Sequence, residues 1–199
     1  MYKGHIRYTA CIILDSSNSR YLRENKEFVT NRDGVEKVSG AAILLFGKKP
    51  QQFFPRSYVR FIRYEGTEAK VGTKMNVVKD VIFEGTVLEV INKAIAYVQT
   101  QIKEYTFLGP KGLFVTIPEY PEFCWQELIV NAVAHRDYSI YGTDIQIKLF
   151  DDHFTVESPG FLPGLVRTYN SLMLSADIFT PPLFLISLFS SLLLLNTLR

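Results

Sequence analysis

The sequence predicts an α+β protein: a two-layer sandwich with helices on one face of a mixed or antiparallel sheet. Two observations carry this expectation. The first is that long apolar stripes at three- and four-residue spacing coexist with short alternating or β-branched runs. The second is their order, which runs helix, strand, strand, helix, strand, helix, hairpin, without the strict strand–helix alternation of a parallel sheet.

The first element is ambiguous. Gly40 to Gly47 is an apolar run between glycines, ended by Lys48-Lys49-Pro50, and periodicity does not distinguish a buried helical turn from a strand. Tyr58 to Tyr64 is β-branched and aromatic and closes on Glu65-Gly66, so it reads as a strand; Met75 to Phe83 is a weaker one. Gly85 to Tyr105 predicts the best helix, because Val87, Ile91, Ala94, Ile95, Val98, Ile102 and Tyr105 fall on one stripe. Lys111 to Ile117 follows as a short strand. Pro121 to Tyr138 is the second firm helix, with proline suited to its first turn. Thr143 to Phe150 alternates Ile145, Ile147 and Leu149 against Asp144, Gln146 and Lys148, as a half-buried strand does. Asp151-Asp152 turns the chain into a return strand, His153 to Glu157, and Ser158-Pro159-Gly160 is expected to break the sheet.

The chain has 199 residues, 22 Lys+Arg, 20 Asp+Glu and a formal net charge of +2. At 47% hydrophobic residues a packed core is expected and wholesale disorder is excluded; near-neutral charge excludes a polybasic nucleic-acid arm as the main feature. Two cysteines, Cys11 and Cys124, cannot build a disulfide framework or a four-cysteine zinc site, and the first residues lack an apolar signal core, so a cytoplasmic protein is expected. Cys11, Cys124 and Trp125 read as packing residues, and His5 and His153 have no ligand spacing.

The candidate chemistry lies in Glu127 to Tyr138. Glu127, Asn131 and His135 are four apart, so a helix stacks them on one face, while Leu128, Ala132 and Val133 beside them can pack inward. An Asn oxygen is a hard ligand suited to Mg²⁺ held between phosphates, and a Glu one turn earlier can orient or deprotonate a water. The pair is expected to look into a hollow roofed by the following hairpin. The same spacing is also that of an ordinary solvated helix face, and His135-Arg136-Asp137 that of ordinary charge at a helix C-terminus.

The run Glu127 to Tyr138, the hairpin after it and Ser158-Pro159-Gly160-Phe161-Leu162-Pro163-Gly164 closely resemble the RecG-like putative transcriptional regulators. These pair a Schlafen-type AlbA DNA-binding domain with a C-terminal domain of the GHKL (Bergerat-type) ATPase class. Gly40 to Pro55, Val59-Arg60-Phe61 and the Glu84-Gly85 helix agree in order, so the likeness covers roughly residues 30–167. The resemblance implies an ATP-binding regulatory domain, with Glu127 as the catalytic water activator, Asn131 as the Mg²⁺ ligand, and His135, Ser158 and Gly160 beside the nucleotide. It also implies DNA as a partner, a homo-oligomer and no membrane. The GHKL class reads adenine with an Asp-x-Gly-x-Gly turn; the matching turn here is Ser158-Pro159-Gly160, without the aspartate. That absence motivates an alternative, a non-catalytic regulatory module that has lost nucleotide.

Three regions follow: 1–38, a remnant of the AlbA-like domain and linker; 39–167, the ATPase-like domain; and 168–199, a tail. Most of the AlbA-like domain is expected ahead of Met1. Of the charged residues only Asp177 and Arg199 follow Arg167, no Gly follows Gly164, and ten Leu flank Pro181-Pro182. A membrane tail and a buried core helix are both readable there, but a segment out of register with the family is favoured. Arg56, Arg60, Arg63, Lys70, Lys74 and Lys79 form a sparse basic set that reads as a solvated strand face rather than a phosphate track.

Overall fold

The computed structural model describes residues 28–32, 35–160 and 173–179. A small antiparallel hairpin of β1 (Val29–Arg32) and β2 (Val35–Val38) leads into helix α1 (Gly40–Phe46). The cap settles the ambiguity of the Gly40 run: the Ser39 hydroxyl accepts from the Ala42 N–H at 3.2 Å and starts a helix. Ala42 and Ile43 bury with Val29 and Val38 in a small core, so packing crosses the sequence boundary at residue 38.

The main sheet contains β3 (Val59–Tyr64), β4 (Val77–Phe83), β7 (Ile145–Leu149), β8 (His153–Pro159) and β9 (Met173–Phe179) in the order β4-β3-β7-β8-β9. Only β3 and β7 run parallel; the other neighbours are antiparallel, so the sheet is mixed. Helices α2 (Val87–Gln99) and α3 (Glu122–Ala134) pack on one face. Val59, Phe61, Ile147, Leu149, Phe154 and Val156 point up from the sheet into Val90, Ala94, Val98, Trp125, Ile129 and Val133. The predicted α+β class with a mixed sheet is therefore the observed one.

Helix α2 is shorter than its periodicity predicts. Thr86 and Glu89 form a capping box at its start. At its end the Thr100 hydroxyl and N–H both turn back onto the Tyr97 carbonyl. Ile102 still packs on the core from outside the helix, and Tyr105 lies in strand β5 (Glu104–Leu108). Strand β5 pairs with β6 (Phe114–Pro118) as a separate two-stranded ribbon around a Gly109–Gly112 turn, so Lys111 is in the turn rather than in a strand.

One further expectation changes. Strand β8 does not end at Glu157: Ser158 pairs with Leu174 and Pro159 with Met173. The reason is β9, which supplies the missing edge partner from within the tail. Residues 168–172 and 180–199 of the tail lie outside the described residues, as do Cys11 and His5. Among the described residues no helix is long and apolar enough to cross a membrane.

Candidate functional site

Helix α3 positions the Glu127, Asn131, His135 row. Its core side is Trp125, Ile129, Ala132 and Val133, all buried. At about 100° per residue the Glu127 position falls on the far side of the helix from that core. Glu127 is exposed and Asn131 half-buried. The Asn131 Nδ2 donates to Glu127 Oε1 at 3.1 Å, so the two side chains touch across one turn. His135 is exposed, and as the helix C-cap its N–H donates to the Asn131 carbonyl at 2.9 Å.

The expected roof is not where the sequence placed it. The β7–β8 hairpin lies beneath the core side of α3, because its apolar residues Ile147, Leu149, Phe154 and Val156 join that core. Glu127 and Asn131 consequently face away from the hairpin. A recess between α1, α2, α3 and the sheet is lined by Leu44, Ser57, Gly85, Val90, Val133 and Tyr138, with room for about one water, and it includes neither residue.

What β8 does reach is the C-terminal end of α3. The buried Ser158 hydroxyl donates to the Ala132 carbonyl at 2.7 Å, satisfying one of the orphan acceptors of the last turn. The Asp137 N–H donates to the Pro159 carbonyl at 2.9 Å. A Cβ at Gly160 would sit 3.3 Å from the His135 carbonyl oxygen and 3.4 Å from the Asp137 nitrogen, so glycine permits this close approach. Thus the structure brings His135, Ser158 and Gly160 together at one end of α3, with Asn131 one turn before His135 and Glu127 a turn earlier still.

Arg136 is the residue that sequence reasoning misplaced. It is not helix-end surface charge: the residue is 5% exposed, and its guanidinium donates to the carbonyls of Arg56, Ile140 and Thr143 at 3.1, 3.2 and 2.8 Å. Burial pulls its pKa down, while Tyr138, Asp137 and Asp144 oppose that. The Tyr138 ring lies 5.0 Å from the guanidinium carbon, and the Tyr138 hydroxyl donates to the Val133 carbonyl at 2.9 Å. Burial raises the Tyr138 pKa. Asp137 accepts from the Ser139 hydroxyl at 2.6 Å and N–H at 2.9 Å, which holds its carboxyl below the usual range. No hydrophobic period marks Arg136, so only its neighbours in space reveal it.

Three of the six residues of the basic set pair with carboxylates. Arg60 pairs with Asp80, Arg63 with Asp151 at 2.7 Å and Arg56 with Asp144 at 3.6 Å, while Lys79 donates to the Gln101 side chain at 3.0 Å. Only Arg60, Arg63 and Lys79 lie in strands; Arg56, Lys70 and Lys74 lie in the segments beside them. Trp125 is buried, Cys124 packs partly buried against the core, and the His153 ring contacts Asp152 at 2.6 Å and stacks on Phe150.

No family model and no curated protein matches the sequence. The structure is similar to that of the DIP2311 protein from Corynebacterium diphtheriae, with a TM-score of 0.54 and 18% sequence identity, over 82% of this chain and 34% of that one. The likeness is one of fold, and the chain spans about a third of that protein.

Proposed function

We propose that the outward face of α3, with the end of β8 and Gly160, forms the nucleotide-binding part of a GHKL-class, Bergerat-type ATPase-like domain. In this reading the chain belongs to a DNA-binding transcriptional regulator of the RecG-like, AlbA-containing kind, and DNA is contacted through the upstream domain. The observation that carries the reading is the Asn131–Glu127 contact of 3.1 Å on the solvent side of a helix packed over a mixed sheet. Because Asn131 uses its NH₂ on Glu127, its carbonyl oxygen is directed elsewhere. An amide oxygen and a carboxylate one turn apart are the hard donors that Mg²⁺ accepts alongside phosphate oxygens.

In this assignment Asn131 would hold the cation, Glu127 would orient and deprotonate a water, and His135 and Gly160 would border the nucleotide at the helix end. Ser158 acts through position, since its hydroxyl fixes the turn to Ala132. Bound ATP supplies the phosphoryl group. Isothermal titration with Mg-ATP tests the reading: heat that disappears with Asn131→Ala supports it, and absence of heat from the unaltered chain ends it.

A second reading, a regulatory interaction module without nucleotide, is favoured by the turn itself. It lacks the adenine-reading aspartate, and its one hydroxyl is buried against α3. Under that reading Glu127→Ala changes no activity of the intact regulator.

A further inference from the structure

We infer that the β5–β6 ribbon is a self-association arm that packs against the same ribbon of a second copy of this chain. Register places Tyr105 opposite Ile117 and Phe107 opposite Val115, so one face of the ribbon consists of four apolar side chains. The opposite face carries Thr106 and Thr116, whose hydroxyls bond at 2.8 Å, and then Leu108 opposite Phe114 at the tip. Every residue of both strands is exposed, including Tyr105 at 50%, Phe107 at 48% and Phe114 at 78%. Tyr105, Phe107, Val115 and Ile117 make that face one contiguous apolar patch, and Leu108, Leu113 and Phe114 add exposed apolar surface at the tip and on the other face. A contiguous exposed apolar patch marks an interaction surface. A lone two-stranded ribbon is marginal in water, so a cover over the apolar face also stabilises the ribbon.

Charge selects a second copy and its orientation. From Tyr105 to Pro118 the sole charged residue is Lys111, in the turn. The base carries Glu104 and the Lys103–Glu119 pair at 3.9 Å, a net charge of −1. A two-fold axis perpendicular to the strands stacks the apolar faces and sets each Lys111 against the acidic base of the other ribbon. The alternative, with tips together, sets Lys111 on Lys111. The ribbon is thus complementary to itself in one antiparallel arrangement, as an isologous interface requires.

Sedimentation equilibrium of the full chain tests this. A dimer is expected, weakened at least about tenfold by Phe107→Asp and by Val115→Asp. Lys111→Glu should weaken it less, and Glu104→Lys combined with Lys111→Glu should recover part of the loss. Circular dichroism should show folded spectra for all variants, because these side chains are exposed. A monomer at about 100 µM, or a dimer indifferent to both aspartate variants, overturns the inference; a monomer whose ribbon instead takes up an extended peptide of another protein overturns it equally.

Discussion

The Ser158 hydroxyl donates to the Ala132 carbonyl at 2.7 Å and so fastens the last residues of β8 to the final turn of α3. Both groups are shielded from water, so neither has a solvent substitute. Ser158→Ala leaves the carbonyl without its donor and is expected to cost about 1–3 kcal/mol in urea unfolding. A change within about 0.5 kcal/mol, the scale of an ordinary surface substitution, would show that the bond does not hold the turn.

Arg136 is expected to be the most sensitive polar position. Arg136→Ala frees three carbonyls in one step and should destabilise by about 3 kcal/mol or more. Arg136→Lys should rescue little, because all three bonds leave the single nitrogen Nη2, and the shorter lysine stem ends its ammonium short of that position and without the guanidinium plane beside Tyr138. Thermal unfolding of the two variants measures this, and a near-native lysine variant would contradict it.

Glu127 separates chemistry from packing. Its side chain is exposed, so Glu127→Ala should alter stability by no more than about 0.5 kcal/mol. Under the ATPase reading the same change abolishes hydrolysis while Mg-ATP still binds. Loss of folding in Glu127→Ala would point to a structural role that the geometry does not suggest.

Acid should loosen the helix end. The carboxyl of Asp137 is held low by the Ser139 hydroxyl and N–H, and that of Asp80 by Arg60. A carboxylate whose pKa falls on folding contributes stability that is present above its unfolded value, about 3.9, and is lost as pH drops through the lower folded value. The urea midpoint should therefore decline below about pH 4. Asp137→Asn should flatten that decline, since its amide oxygen accepts from Ser139 at every pH; an unchanged slope would falsify the assignment to Asp137.

The alternation of Ile145, Ile147 and Leu149 and the stripe of Val87, Ala94 and Val98 were legible because each records a local period against one core. The end of α2 was not, since Ile102 packs on that same core after leaving the helix and Tyr105 extends the spacing from within a strand. The stacking of Glu127 on Asn131 was equally readable, because it depends only on the helical repeat.

Which way that pair looks was decided in three dimensions. The side of α3 that meets the sheet is chosen by the apolar surface of Trp125, Ile129 and Val133, and that choice sends Glu127 away from the β7–β8 hairpin. The same holds for Arg136, where a charge two residues past a helix becomes a buried clamp because the Arg56 carbonyl from a distant segment joins the Ile140 and Thr143 carbonyls of its own loop around it. The sequence by itself determined the α+β class and the local periods of β3, α2, α3 and β7. Long-range packing determined the faces, the pairing of Ser158 with the strand Met173–Phe179 and the partners of each buried polar group, because such contacts depend on residues far apart in the chain.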